Sequence, residues 1–580
     1  MIFMLNIFKK KRVAHNSGIP MPKTPPNSPY AGRWVARVRN KIVAHGGTPE
    51  QARHAAKKSR PKEEPTITYM PINFKLPPLL LEILDAFPAD QPLYLIGGAV
   101  RDLLLGRVSH DLDFGLGADS LTIARKIANC IDAAYYPLDK ERGSARLILM
   151  HDDGTRDVLD FARLRGETGE SLEEDLRERD FTLNAIALDV RSQKIYDPLN
   201  GLADLRAKEL RLCSPTSLSD DPIRILRAIR LASNYGFKIL PETRFAMKKA
   251  IVGLSETSVE RQRDEFFKIL EGKQAHTALR ALEILGVLPE ILPEVASLKD
   301  VAQSPPHVND LWSHTLNTIR HLESMLAALS PDYDPSKASE FHNGLLVLKL
   351  GRYRKQFAEH FSEKLTVDRS LYGLLFFAAL YHDIAKPAVQ KIGDDGRIRF
   401  WGHEREGSDM VAERARSLHL SNDEVDRLKC IVRGHLRVHD MARRMLEKGT
   451  QAQGHARSAG SPSRRTIYRF FRDTREAGVD IVLLSLADLR ATYEHTLPED
   501  LWGAELDVAR ILLENYFERP EEVVKPKSLL NGHEVMQAFD LRPSPRVGAV
   551  IEAIREAQAT GEVGTRDEAV AFGELWLKEN

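Results

Sequence analysis

Between residues 93 and 165 the apolar positions follow two alternating rhythms. The runs "LYLIGG", "DLDFGLG", "SARLILMHD" and "RDVLDFARLR" are short and apolar or alternate with period two, which predicts strands. Between them, "AVRDLLLG" and "SLTIARKIANCID" space apolar residues three and four apart, which predicts helices. With a short helix over residues 78–86, this describes a unit of strands and helices over residues 78–215. From Asp220 the period becomes helical throughout, as in "DDPIRILRAIRLASNYGF", "SVERQRDEFFKILEG" and "AHTALRALEILGVLPEIL". This helical part is expected to fall into three segments, over residues 216–300, 301–500 and 501–580. A low-complexity loop over residues 447–465 and a polar insertion around "SPDYDPSKASE" interrupt it, and no repeat of fixed period is present.

Charge changes the picture at the amino end. Residues 1–62 hold 14 Lys and Arg against one acid, Glu50, while the whole chain carries only +1, so the remainder is acidic. The Pro-, Asn- and Ser-rich "FKKKRVAHNSGIPMPKTPPNSPYAGRW" predicts a disordered basic arm over residues 1–65, followed by a proline-bounded linker over 66–78. Such an arm can touch RNA phosphates nonspecifically, or be a solvated tail or an overlong gene start, with Met4 and Met21 as alternatives. It lacks the apolar stretch of a secretory signal, and no run approaches the roughly 20 apolar residues that span a bilayer. Cys130, Cys213 and Cys430 lie far apart, so neither a disulfide framework nor a zinc knuckle is encoded. A cytoplasmic setting without a membrane is the expectation. Oligomeric state is not legible.

Candidate chemistry concentrates in "LIGGAVRDLLLGRVSHDLDFGLG", residues 95–117. Gly97 and Gly98 form a tight turn into a helix, whose free backbone N–H groups suit an anion, and Arg101 in the first turn adds a charge. In extended "HDLDFGL", Asp111 and Asp113 lie at i and i+2. Their carboxylates share one face, about 6.5–7 Å apart along the strand, with Leu112 and Phe114 on the other. Two such carboxylates repel unless cations intervene, and an oxygen-only ligand set favours Mg²⁺. The arrangement suits two-metal phosphoryl or nucleotidyl transfer.

Five motifs in order then resemble one family. "GGAVRDLLLG…HDLDF" is similar to the nucleotidyltransferase motif of class II tRNA nucleotidyltransferases (CCA-adding enzymes) and bacterial poly(A) polymerases, within the DNA polymerase beta superfamily. "EEDLRERDFTLNAIALD" resembles its ribose-contacting motif, with Glu178-Arg179-Asp180 where Arg-Arg-Asp is usual. "YDPLNGLADL" resembles its hinge. "DDPIRILRAIRLA" resembles its nucleotide-selecting motif, with Asp220 for the usual Glu. "SVERQRDEFFKIL" resembles the helix that braces the neck. The resemblance implies an α+β fold: a DNA polymerase beta-like head, a mixed sheet with helices, followed by all-helical neck, HD and tail domains.

Residue roles follow from chemistry and resemblance together. Asp221 can accept from the exocyclic amine of cytosine or adenine while Arg224 donates to the same edge. The resemblance implies that use, with Arg227 and Arg230 reaching the triphosphate or bracing the site; the alternative is a capping Asp with solvated arginines. Arg179 and Asp180 would hold the ribose hydroxyls. Asp160, extended and acidic, is the proposed third carboxylate, or else a partner of Arg163 or Arg165. A charged segment around residues 139–143 falls where the family carries a flexible loop. The carboxyl tail resembles a helical RNA anchor whose sparse Arg542, Arg546 and Arg555 would contact phosphates.

A second cluster lies downstream. "LYHDIAKP" places His382 and Asp383 on a helix, and His314, His403, His435 and Asp488 can complete a site. The order resembles the HD superfamily of metal-dependent phosphohydrolases, and the mixed nitrogen and oxygen ligands suit Mn²⁺, Ni²⁺, Fe²⁺ or Zn²⁺. The expected activity is Mg²⁺-dependent addition of C and A to the tRNA 3′ end from CTP and ATP, with an accessory phosphohydrolase acting on RNA ends. The alternatives are a poly(A) polymerase, a CC-only or A-only enzyme, an enzyme that is mainly an HD phosphohydrolase, or a noncatalytic RNA-binding protein.

Overall fold

The computed structural model describes residues 29–580 apart from 73–74, 118, 153, 165–170, 335–339, 367–368 and 452–459. The chain divides into two units, one ending at Ser217 and one beginning at Leu218.

Contrary to the expected arm and linker, much of residues 29–70 is folded. Strands β1 (Arg33–Val38), β2 (Lys41–Gly46) and β3 (Thr66–Met70) pair in the order β2-β1-β3, and helix α1 (Pro49–Ser59) is capped by Thr48. Ala52 and Ala56 of α1 form a small core with Ala36 of β1. The charge count concealed the short strand-like runs "RWVARV" and "TITYM", which pair locally but pack on residues more than a hundred positions away. The Tyr69 hydroxyl accepts from the Ile195 N–H at 3.0 Å, and the Trp34 ring lies 5.3 Å from that of Tyr69 and 6.3 Å from that of Tyr196. Arg33 is buried, donating to Asn200 Oδ1 at 2.6 Å and facing the buried Asp197 at 3.8 Å. The first 28 residues of the expected arm lie outside the described residues, as do residues 452–459 of the expected low-complexity loop.

The rest of the first unit is one mixed seven-stranded sheet. Its strands are β4 (Tyr94–Ile96), β5 (Asp111–Leu116), β6 (Ala134–Asp139), β7 (Ser144–Met150), β8 (Arg156–Arg163), β9 (Ala187–Asp189) and β10 (Lys194–Tyr196), in the order β10-β9-β4-β5-β8-β7-β6. Helices α2 (Pro78–Ala86) and α4 (Ser120–Ile131) lend Leu80, Ile83, Ile123 and Ile127 to the core, while α3 (Gly98–Leu104) follows the glycine turn. Leu112 and Phe114 of β5 and Leu159 and Phe161 of β8 enter that core, with the two phenyl rings stacked at 4.7 Å. Period-two alternation therefore turns Asp111, Asp113 and Asp160 to the opposite face. The segment expected as a flexible loop is the turn of the β6–β7 hairpin, where Asp139 Oδ1 accepts from the N–H groups of Glu141 and Arg142, each at 3.0 Å.

The second unit is almost wholly helical. The helix Arg224–Tyr235 buries Ile225, Leu226, Ala228 and Ile229 and stops at Gly236, which has φ of 69°. Leu371–Tyr381 and Gly478–Tyr493 are apolar nearly all round and buried accordingly. Leu530, Val535, Val550, Ile554 and Ala569 make a separate small core in the tail. No described helix is long and apolar enough to cross a membrane.

Candidate active site and metal centre

Strand register assembles the acidic face of the first unit. Asp113 is paired with Ile96 across the antiparallel β4–β5 pair and with Asp160 across the parallel β5–β8 pair. Paired residues on adjacent strands are about 4.7–4.9 Å apart and point the same way. Asp160 thus joins Asp113 on one face, with Asp111 two residues along. Asp160 does not take Arg163 as the partner of its two oxygens. Arg146, opposite it on β7, donates from Nε and Nη2 to both, each at 2.8 Å. This forked pair fixes the plane of the carboxylate. Arg165 lies outside the described residues.

The glycine turn lies against the same face. Gly97 has φ of 79°, and a Cβ added there would stand 2.9 Å from Arg179 Nη1 and 3.3 Å from Asp113 Oδ2. The positive φ favours glycine, and a side chain there would press on both the guanidinium and the carboxylate. Helix α5 (Leu172–Arg177) supplies Asp175, whose Oδ2 accepts from Arg179 Nε at 3.1 Å.

Arg101 is 5% exposed, with its guanidinium folded back toward Gly98. It donates to Asp102 at 3.0 and 2.9 Å and to Asn184 Oδ1 at 2.7 Å. The Asn184 amide in turn donates to Asp180 Oδ1 at 3.0 Å, which also accepts from the Phe181 N–H at 2.7 Å. Asn184 therefore ties the expected phosphate-side arginine to the expected ribose-side aspartate. It was missed in the sequence, although its place four residues after Asp180 in "RDFTLNA" was the available signal.

The residues expected to select the nucleotide lie in the second unit. Asp221 Oδ2 accepts from Arg261 at 2.7 Å and lies 3.8 Å from Arg224 Nε, and Arg230 donates to Glu265 at 2.8 Å. Arg261 and Glu265 belong to the helix Val259–Leu270, which thus braces the helix carrying Arg224, Arg227 and Arg230. Arg227 is half-buried on that same helix.

A centre of different chemistry is buried deeper in the second unit. His382 and Asp383 lie just past the end of Leu371–Tyr381, in a turn and not within the helix as the sequence suggested. Two groups form, His314 with His382 and Asp488, and Asp383 with His403 and His435, all buried. Asp383 stands between them. Its Oδ2 is 3.4 Å from His314 Nε2 and 3.2 Å from His382 Nε2, and its Oδ1 is 3.2 Å from His403 Nε2.

The histidine tautomers are set by backbone carbonyls, which only accept. The Nδ1–H groups of His382, His403 and His435 donate to the carbonyls of Ala379, Phe400 and Val432 at 2.8, 2.8 and 2.6 Å. Their Nε2 atoms are left facing inward, those of His403 and His435 3.3 Å apart. Converging imidazole nitrogens and carboxylates fit one or two divalent transition ions. Burial disfavours charge on His382, yet Asp383 and Asp488 outweigh it and push its pKa up to about 10. Burial, with the rings of His382 and His403, pulls His435 down to about 3. The carboxylates thus draw positive charge to this centre.

Two further residues were not read from the sequence. His439 lies 3.1 Å from Asp488 Oδ2 through Nε2 and 2.6 Å from the buried Glu505 through Nδ1. Its spacing of four from His435 on a helical stretch was the missed signal. Beside this centre lies a cavity of about 800 Å³ reached by Lys386, Arg397, Arg399 and Arg443.

A mixed sheet with three acids on one face beside a glycine turn, joined to a helical unit with a histidine and aspartate centre, defines a nucleotidyltransferase carrying an HD-type domain. Residues 93–211 match the poly A polymerase head domain, 236–299 the probable RNA and SrmB-binding site of polymerase A, and 355–489 the HD domain. Residues 28–72 match a family of unknown function. The chain is 32% identical over 495 residues to an A-adding tRNA nucleotidyltransferase of Deinococcus radiodurans, covering 84% of this chain and 95% of that relative. It is 30% identical over 498 residues to a CC-adding tRNA nucleotidyltransferase of Thermus thermophilus, covering 85% and 94%. The chain belongs to the tRNA nucleotidyltransferase family and is an enzyme. A solved CCA-adding enzyme with CTP shares its fold at a TM-score of 0.51 and 21% identity, over 87% of this chain and 96% of that one.

Proposed function

We propose that the enzyme transfers cytidylyl and adenylyl groups from CTP and ATP to the 3′ end of tRNA without a nucleic-acid template, in the cytoplasm. The observation that carries this reading is the register of Asp113 against Asp160 beside Gly97. Asp111, Asp113 and Asp160 offer an oxygen-only set that fits Mg²⁺, which when bound neutralises the triphosphate and favours an ionised 3′ oxygen. Gly97 and Gly98 let the backbone approach the phosphates, and Arg101 holds that turn from beneath through Asn184. Arg179 and Asp180 address the ribose, Asp221 and Arg224 the base edge, and Arg227 and Arg230 the triphosphate side or its support. The 3′ oxygen forms a bond to the α-phosphorus, the bond from that phosphorus to the bridging oxygen breaks, and pyrophosphate leaves. Positioning and charge neutralisation supply most of the acceleration.

The test offers tRNAs lacking CCA, CA or only A, with CTP and ATP supplied separately. Incorporation that Asp111→Ala abolishes is the expected result. Long A tails on every acceptor would favour a poly(A) polymerase, and unimpaired incorporation by the variant would overturn the reading.

A narrower reading has its own support. The A-adding and CC-adding relatives match along nearly the whole chain, whereas relatives called CCA-adding enzyme or multifunctional CCA protein match over 37–41% of it. A partial adder is therefore the second reading, and in the same assay it would stop after two C residues or begin only at an acceptor that already ends in CC.

The buried centre supports an accessory phosphohydrolase. His314, His382, Asp383, His403, His435 and Asp488 would hold Mn²⁺, Ni²⁺, Fe²⁺ or Zn²⁺, which when bound lowers the pKa of a coordinated water. His439 is held by Glu505 and Asp488 where it can pass a proton to a leaving alcohol. Metal-dependent release of phosphate from a phosphate ester, absent in Asp383→Ala, is the test, and release at the wild-type rate would sink the reading.

A further inference from the structure

The cavity beside the buried centre has a rim unlike its floor. Asp383, His403 and Asp488 line it from inside, whereas Phe400 and Trp401 line it from a loop that follows a small hairpin of Lys391–Ile392 with Ile398–Arg399. Trp401 is 71% exposed, so its indole offers a flat apolar surface at the mouth of the cavity. The Arg399 guanidinium lies 5.6 Å from its ring centroid, and Asp395 holds that arginine at 2.9 and 2.6 Å. One face of the ring is thus steadied by a cation.

Trp401 and the metal-ligand candidate His403 are separated by Gly402 alone, whose φ of 82° turns the loop between them. Two residues of chain span at most roughly 7 Å, so the two backbone positions lie within the length of one nucleotide. Lys386 stands on the floor, 2.7 Å from Asp383 Oδ2 and 5.4 Å from the Phe400 ring centroid. Arg397 and Arg443 add positive charge to the lining, facing Glu404, Asp440 and Glu505 there. Phosphate-sized anion chemistry inside and a flat aromatic surface at the mouth are the two halves of a nucleotide.

We propose that Trp401 is a base platform for a nucleoside monophosphate or a terminal nucleotide of RNA, whose phosphate faces the His314, His382 and Asp383 centre. The proposal rests on the phosphohydrolase reading for what happens to the phosphate, but not for the stacking itself. A six-membered or fused base stacks on the indole face left open by Arg399, and every base has such a face, so recognition is of nucleotides as a class. Trp401 acts as a specificity residue and does not touch the reacting phosphorus.

The experiment uses the full chain with Mn²⁺, adenosine 5′-monophosphate and its base-free counterpart ribose 5-phosphate. Saturable quenching of tryptophan fluorescence by the nucleotide, absent with ribose 5-phosphate and lost in Trp401→Phe, is the expected signature. Against hydrolysis of p-nitrophenyl phosphate, which has no nucleobase, Trp401→Ala should raise the inhibition constant of the nucleotide at least about fivefold. It should leave that of ribose 5-phosphate unchanged, and Trp401→Phe should stay near wild type. Equal inhibition by both compounds in the wild type, or equal losses for both in Trp401→Ala, would overturn the proposal. If p-nitrophenyl phosphate is not hydrolysed at all, the phosphohydrolase reading falls, and the quenching alone decides the platform.

Discussion

Asp113 and Asp160 stand side by side in register across the parallel pair of β5 and β8, and Arg146 holds both oxygens of the second. Neutralising Asp160 by Asp160→Asn keeps its shape and removes its charge. Turnover in CTP or ATP incorporation should fall about 10²–10³-fold, the usual size of losing one charged group that stabilises a transition state. Arg146→Ala should cost less, because it loosens the carboxylate without removing it. Steady-state kinetics check both, and Asp160→Asn within twofold of wild type would remove it from the site.

Gly97 and Gly106 make a matched pair of substitutions. Both have positive φ, 79° and 71°, but a Cβ meets Arg179 and Asp113 at Gly97 and nothing within 4 Å at Gly106. Each alanine variant pays backbone strain of roughly 1–2 kcal/mol. Only Gly97→Ala should also lower kcat/KM for nucleotide addition, by tenfold or more. Equal activity losses in the two would mean that strain alone, not crowding of the acidic face, is responsible.

Arg33 and Asp197 tie the amino-terminal sheet to the strand-and-helix core of its own unit. Burial pushes the Asp197 pKa up to about 6, against its hydrogen bonds from Leu202 and Gly201 and the charge of Arg33. The folded state therefore holds this proton more tightly than the unfolded chain. The resulting stabilisation is full below the ordinary value near 3.8 and is lost as pH rises through about 6. Arg33→Ala leaves a buried carboxylate without its cation and should cost about 3–5 kcal/mol at pH 7, with a smaller cost at pH 5. Hydrogen exchange of β1 and β10 across pH 5–8 reads this out, and a pH-independent loss would contradict it.

Asp383 serves both groups of the buried centre, one with each oxygen. Asp383→Ala should therefore abolish bound transition metal, whereas His435→Ala should reduce it. Elemental analysis of the purified full chain measures this, alongside CTP or ATP incorporation, which should stay within twofold for both variants. Unchanged metal content in Asp383→Ala would exclude a role for it as a ligand.

The folded amino-terminal sheet shows where sequence reading failed. Counting Lys and Arg over residues 1–62 weighed composition above the apolar run in "RWVARV" and the alternation in "TITYM". A three-stranded sheet of this size gains its stability from a face packed on something else, and the partners around Tyr196 and Asp197 are remote in the chain. Asn184 and His439 escaped for a related reason. An amide or an imidazole within a helical or turn segment acquires a role only from the charges that long-range packing brings to it.

Local pattern alone determined that Gly97 and Gly98 turn the chain, that Asp111 and Asp113 share a face opposite Leu112 and Phe114, and that the second half is helical. These are consequences of periods of 2 and 3.6, which act over a few neighbouring residues. Tertiary structure decided that Asp160 pairs in register with Asp113, that Arg146 on the neighbouring strand holds it, and that Asp383 divides its oxygens between two histidine groups. Each depends on which strand or helix lies alongside another, and hydrogen-bond register and packing between distant segments set that.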